Sequence, residues 1–391
     1  MIEYVLAFLG LYAAVFYLLI YISEEENVRK DPAPKKFPSV SVVIPAYNEE
    51  KTIGKTIESV LALDYPKNKL EVMVVDDGSK DRTVEIVKLY KVKLISKKNT
   101  GKANSLNVAI GQAKGELVAT MDADSHVGPN ALKCMVGYFE DPDVAAVTSA
   151  IKVWEPKTMV QKLQRGDYLV NAFFKKLQSF VDGISVTAGP FSVYRKPVLE
   201  KLGGFAEDTL TEDLEIALRI QSANLRIENS LNAEVFTEVP SRLRDLLKQR
   251  RRWYLGYMEN IWKYRLLFSP KYGDFGLFVL PAAVAILAVS LALFLWTNLP
   301  RSLDTFLRFE PMPASLLYLE FTPVRVVFIS IFLLNALAFY YTLRNTRESG
   351  FLGNFLSLFA ISTMMLLLWF AVLGEQIANS LRGVKPAWRG D

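Results

Sequence analysis

Two short acidic clusters, one lysine-bearing segment and one arginine-rich segment carry the chemistry of this chain. Asp76-Asp77 and Asp122-Ala123-Asp124 each close an apolar run, Leu70–Val75 and Leu117–Met121. Carboxylates so placed suit a hard divalent cation such as Mg²⁺ or Mn²⁺, which takes oxygen ligands and shares them with substrate phosphates. The chain has one histidine, His126, and one cysteine, Cys134. A catalytic metal would therefore be held mainly by carboxylates, and neither a zinc cluster nor an intrachain disulfide can form. Taken alone, either acidic pair also reads as an Asx-type turn. The segment Gly101-Lys102-Ala103-Asn104-Ser105-Leu106-Asn107 begins a helical pattern with Lys102 at its positive end. That suits phosphate, and a solvated helix start has the same look.

Thr211-Glu212-Asp213 opens a second helical pattern through Leu214, Ile216, Leu218 and Ile220. Its plainest reading is an N-cap with first-turn acids, worth about 1 kcal/mol. A partner lies in Gln249-Arg250-Arg251-Arg252-Trp253. On a helix Gln249, Arg252 and Trp253 share one face, while Arg250 and Arg251 point elsewhere. The amide and guanidinium can hold a diphosphate leaving group, and the indole offers sugar rings a stacking surface. Arg250 and Arg251 equally suit an anionic lipid surface.

The elements that must position these groups alternate. Ser39–Pro45 reads as a buried parallel strand and Glu49–Ala62 as a helix; Leu70–Val75, Val92–Ser96 and Leu117–Met121 read as strands, Asp81–Tyr90 and Lys102–Ala113 as helices. This order predicts an α/β domain with a largely parallel sheet. Ligands of such sheets sit beyond the carboxyl ends of the strands, so both acidic clusters fall on one rim.

The chain's 391 residues are 51% hydrophobic and 22% charged, which excludes a disordered or collagen-like protein. Residues 2–22 are long and apolar enough to span a membrane and lack the basic start and cleavage site of a signal peptide. Further spans are expected at 275–296, about 326–343 and about 351–373, leaving 23–273 facing water. Arg29, Lys30, Lys35 and Lys36 follow the first span, so the positive-inside rule predicts that this domain is cytosolic. Four spans would put the tail outside, whereas Arg382, Lys385 and Arg389 favour the inside; a re-entrant segment within 300–323 would restore parity. The net charge is +5, and residues 241–252 hold six basic residues and one acid, so the rest of the chain balances. The surplus is one helix beside the membrane, not a nucleic-acid footprint.

In order, Pro45-Ala46-Tyr47-Asn48-Glu49, Asp76-Asp77-Gly78-Ser79, Gly101-Lys102 to Asn107, Asp122-Ala123-Asp124, Gly189-Pro190-Phe191-Ser192-Val193-Tyr194-Arg195, Thr211-Glu212-Asp213 and Gln249-x-x-Arg252-Trp253 resemble the membrane-embedded family 2 glycosyltransferases of the cellulose, chitin and hyaluronan synthase group. The resemblance covers roughly residues 39–265. It implies a Rossmann-like GT-A catalytic domain over 23–240, a basic interface helix within 241–273, and a helical transmembrane region over 274–391 behind the anchor at 1–22. It implies that Asp76 and Asp77 hold base and ribose, that Asp122 and Asp124 bind UDP and the Mg²⁺ or Mn²⁺ ion, and that Lys102 approaches the diphosphate. Asp213 would be the general base, Gln249 and Arg252 would grip the pyrophosphate, and Trp253 and Glu212 would meet the acceptor sugar, with Gly189, Pro190 and the stretch to Arg195 as its floor.

The reaction implied is inverting transfer from a UDP-sugar to a growing glycan at the cytosolic face of the cell membrane, coupled to translocation. A single-transfer glycolipid synthase is the alternative, and a non-catalytic scaffold on anionic lipid a third reading. His126 is not required by the pattern, and Cys134 reads as a small core residue. The 158–181 segment reads as an amphipathic helix at the membrane surface, with a plain core-facing helix as its alternative.

Overall fold

The computed structural model describes residues 2–285, 287 and 323–382. The elements of the sheet domain and the helix that follows it are β1 (Val40–Ala46), α2 (Ile53–Leu61), β2 (Leu70–Asp76), α3 (Thr83–Val87), β3 (Lys93–Ser96), α4 (Lys102–Ile110), β4 (Leu117–Thr120), β5 (Ser125–Val127), α5 (Ala131–Val136), β6 (Val144–Val153), α6 (Met159–Ser179), β7 (Ser192–Arg195), α7 (Lys196–Lys201), α8 (Glu212–Ser222), β8 (Arg226–Thr237) and, last, α9 (Leu243–Lys263). They follow α1 (Ile2–Glu24). Among the described residues, three apolar helices come after them: α10 (Phe275–Ala285), which opens with a π-turn, α11 (Pro323–Thr346) and α12 (Phe351–Arg382).

One eight-stranded sheet, in the order β3-β2-β1-β4-β7-β6-β8-β5, organises the domain. Strands β3, β2, β1 and β4 are mutually parallel, as the alternation of the first half predicts. β7 departs from this: it runs antiparallel to both β4 and β6. The reason lies in the connection between β6 and β7. α6 runs back along β8, so that Asp182 just past its end pairs with Arg226 at 2.8 Å, and the loop through Gly189 then brings the chain up to Asp122 on the carboxyl rim and leads straight into β7, so β7 enters from the rim. The sheet is mixed as a result.

Every residue of β1 is buried, as expected of a strand covered on both faces. Period-two alternation sends Val42 and Ile44 into a layer with Ile53, Ile57 and Val60 of α2, and Val43 into the opposite layer with Leu106 and Ile110 of α4 and Ile216 and Ile220 of α8. Helix α6 begins in a capping box in which Thr158 and Gln161 exchange hydrogen bonds. It buries Leu169, Ala172, Phe173 and Leu177. Phe173 and Leu177 pack with Tyr21 of α1, and Gly166 leaves room for the Asn354 carbonyl of α12. Helix α6 thus lies between the sheet and the apolar helices. Of its basic residues, Arg165 pairs with Glu348, and Lys176 is buried, donating to the Asn229 carbonyl at 3.1 Å.

α1 and α11 run side by side in the same direction: Gly10 faces Ile331, and the rings of Tyr21 and Tyr341 lie 4.3 Å apart. Both end against the sheet domain, where Arg29 donates to the Asn345 carbonyl at 2.6 Å. Among the described residues, α1 and α12 are long and apolar enough to cross a membrane. The expected 275–296 span is described as helix only to residue 285 apart from residue 287, and the 300–323 segment, apart from residue 323, and Lys385 and Arg389 lie outside the described residues.

Candidate active site

Asp76 ends β2 and Asp122 follows β4, so both acidic clusters stand on the carboxyl rim. Asp76 accepts from the Ser79 backbone N–H at 3.0 Å, an Asx turn. Asp77 accepts from the N–H groups of Thr100 and Gly101 at 3.0 and 2.8 Å and pairs with Lys97. Its carboxylate therefore clasps the loop that starts α4. Gly78 makes that turn at φ +77°, where an added Cβ would lie 3.0 Å from the Asn99 nitrogen.

The clasped loop presents Lys102. Its ammonium lies 2.6 Å from Asp122 Oδ1 and 2.9 Å from Glu212 Oε1, joining segments 110 residues apart. A Cβ on Gly189 would stand 2.7 Å from that ammonium and 2.8 Å from Asp122 Oδ2, so a methyl there would have to push one of those two side-chain tips aside. Pro190 follows, half-buried. Asp213 sits beside Glu212 in the first turn of α8, and its carbonyl accepts from the Thr187 hydroxyl at 2.9 Å.

Helix α9 supports this turn from behind. Arg252 Nη1 donates to the Leu210 carbonyl at 3.1 Å, and Asn260 donates to the hydroxyls of Thr209 and Thr211 at 3.0 and 3.1 Å. The helix approaches closely because residue 256 is glycine: a Cβ there would meet the Thr211 side chain at 2.5 Å. Gln249 Oε1 is buried with no hydrogen-bond partner among the described residues, an acceptor left open for a ligand's donor.

Charge is unevenly shared. Burial works against the Lys102 ammonium, but Asp122, Glu212 and Asp213 override it and hold its pKa well above the usual lysine value. Burial likewise opposes the Glu212 carboxylate, and Lys102 overrides it and keeps that group low. Asp213 goes the other way: burial, then the adjacent Glu212 charge, push it above the usual carboxylate range despite Lys102 and Arg252. Burial, then Asp122 and Glu49, push Asp124 up to about 7. Two neighbouring carboxylates, one held charged and one poised to take a proton, are the pattern of a general base beside its electrostatic partner.

The donor set can be tested against a metal. Among the described residues no group of three or more His, Cys, Asp or Glu forms a protein cage. Asp122 and Asp124 instead leave an excess of negative charge, which suits an ion held by one or two carboxylates and completed by phosphate oxygens.

Several readings need correction. Arg250 does not face lipid: it is buried, paired with Asp167 of α6 at 2.6 Å, with its guanidinium 4.5 Å from the Trp253 ring centroid. Arg251 pairs with Glu375 of α12. The stretch from Ser192 to Arg195 is no acceptor floor, because it is β7 inside the sheet, with Tyr194 buried and Arg195 donating to the carbonyls of Phe139, Asp141 and Val144. His126 lies on β5 edge-on to Trp154, with ring centroids 4.9 Å apart. Cys134 is a free, half-buried thiol.

Residues without an assigned role join the site. Glu49 is pushed up by burial and by Asp122 among its neighbours; it stands in a quoted motif, where its charge was the available signal. Tyr254 stacks on Trp369 of α12 with centroids 4.0 Å apart, and nothing in the spacing of these two residues announces that contact.

Residues 41–203 match the model of Glycosyl transferase family 2. The chain is 31% identical over 246 residues to a poly-beta-1,6-N-acetyl-D-glucosamine synthase of Staphylococcus epidermidis, covering 61% of this chain and 57% of that protein. It is 30% identical over 262 residues to the synthase of the same name from Staphylococcus aureus strain COL, covering 64% and 63%. The chain thus matches about three fifths of the length of these relatives. Among solved structures, the mannosyltransferase PcManGT of Pyrobaculum calidifontis, in complex with GDP-Man and Mn²⁺, superposes with a TM-score of 0.63 over 96% of this chain and 99% of that one. At 23% identity that likeness establishes the fold: a GT-A-like mixed sheet with apolar helices at both ends.

Proposed function

We propose that the chain is a membrane-bound, inverting glycosyltransferase that moves a sugar from a UDP-sugar to a growing glycan, processively, with Mg²⁺ or Mn²⁺. The observation that carries this reading is the Lys102 bridge, which gathers Asp122, Glu212 and Gly189 around one ammonium. The naming of the staphylococcal relatives as polysaccharide synthases supports the glycan acceptor.

Asp213 accepts the proton of the acceptor hydroxyl, a positioned-base contribution of about 10²–10⁴-fold. Its raised pKa suits that task. Lys102, Arg252 and the side-chain amide N–H of Gln249 hold and orient the diphosphate side of the donor, and Trp253, fixed by Arg250, stacks the acceptor sugar. Asp122 and Asp124 would hold the divalent ion, which when bound neutralises charge developing on the leaving diphosphate. Asp76 and Asp77 shape the nucleotide end of the rim. One base and no carboxylate nucleophile give a single displacement, so an α-linked donor yields a β-linked product. α1 and α12 anchor the enzyme, with the domain on the cytosolic side by the basic residues from Arg29 to Lys36.

The test incubates purified full-length protein in detergent with radiolabelled UDP-sugars and GDP-mannose, with Mg²⁺ or Mn²⁺, and separates products by size and lipid extraction. A polymer ladder from a UDP-sugar is expected. A lipid-extractable single-sugar product would replace the processive reading with a glycolipid synthase. Turnover of no donor by folded protein would overturn the enzyme altogether.

A further inference from the structure

Away from the active site, along β5 from Asp124, lies a cavity of about 600 Å³. Arg29, Asp31, Cys134, Asn232, Glu234 and Arg347 line it, and no candidate active-site residue does. Its acids are engaged. Asp31 accepts from Asn232 at 2.8 Å and from the Tyr138 hydroxyl at 2.9 Å, and Glu234 pairs with Lys152 at 2.9 Å.

Its two arginines are held differently from each other. Arg29 is aimed by hydrogen bonds to the Asn345 carbonyl and to Asn232 Oδ1 at 2.7 Å, neither of which carries charge. Burial, and then the charge of Arg347, oppose its guanidinium, and Arg347 opposes it more strongly than Glu234 or Asp31 supports it. Arg347 is exposed and makes no hydrogen bond or ion pair with a described residue. It also adopts φ +57° just past the end of α11, a conformation that costs a non-glycine residue about 1 kcal/mol or more. Two like charges are thus brought to one cavity at a cost, with an open face between them. Each arginine follows the end of one of two parallel apolar helices, α1 and α11.

We propose that this cavity binds a phosphate-bearing anion between Arg29 and Arg347, supplied either as a phospholipid headgroup or as a free phosphate. Guanidinium forks meet phosphate oxygens in pairs, and an anion here relieves the repulsion between the arginines. The site is independent of the glycosyltransferase reading.

The experiment uses the full chain in detergent. Native mass spectrometry with phosphatidylglycerol, against diacylglycerol as the phosphate-free control, counts retained lipid. The alkylation rate of Cys134, the chain's single cysteine, reports cavity occupancy at fixed alkaline pH as inorganic phosphate is added. One phosphatidylglycerol retained by wild type, about tenfold more weakly by Arg347→Gln and unchanged by Lys271→Gln, a change at an exposed lysine that does not line the cavity, establishes a headgroup site. Phosphate protection of Cys134 that Arg347→Gln abolishes, without lipid retention, establishes a free-phosphate site. Equal retention by wild type and Arg347→Gln, with an alkylation rate indifferent to phosphate, overturns the proposal.

Discussion

Asp213 is the residue on which the proposed chemistry turns. Asp213→Asn keeps the size and the hydrogen bond to the Leu214 N–H while removing the proton acceptor. Transfer should fall about 10²–10⁴-fold with nucleotide binding by calorimetry preserved; wild-type turnover in that variant would remove Asp213 from the base role. The sign of the pH dependence follows from the raised pKa. The base must be ionised, so kcat/KM should be flat at alkaline pH and fall about tenfold per unit below a midpoint above the ordinary aspartate value of about 3.9. A profile whose acid limb falls at that ordinary value would contradict the burial of this site. Gly189→Ala tests the cradle. The new methyl must push aside the Lys102 or the Asp122 tip, so donor affinity should drop about tenfold or more with the circular dichroism spectrum unchanged.

Among the elements, α9 and α6 show how a basic helix is held. Arg250 and Asp167 form a pair whose arginine side is buried, and removing one partner of such a pair strands a charge. Arg250→Met should cost about 3 kcal/mol, and Asp167→Asn somewhat less because Asp167 is partly exposed; thermal melts of the detergent-solubilised protein read both. This is also where sequence patterns reach their limit. Alternation and β-branched runs reveal β1 to β4 and their rim, because strand periodicity is local. The antiparallel entry of β7 depends on where α6 leaves the chain, which no local pattern encodes. The Asp-x-Asp and Thr-Glu-Asp segments can be picked out singly, but their union on Lys102 needs the fold to close 110 residues. Arg250 and Arg251 look like surface charges from composition, since their acidic partners lie 83 and 124 residues away.

For the whole molecule, the apolar helices are tied into the sheet domain. Helix α12 meets α6 at Asn354 and α9 at Trp369 and Glu375, so it is tied to the domain at two levels. Arg251 and Arg252 are adjacent, and the first grips Glu375 while the second grips the carbonyl of Leu210, one residue before Thr211-Glu212-Asp213. A shift of α12 is therefore delivered, through one peptide unit of α9, to the turn that carries the base. Bilayer thickness becomes a control variable: reconstituted protein should change its turnover across phosphatidylcholines of increasing acyl length, and Glu375→Gln should flatten that response while leaving the rate in detergent within a few fold of wild type.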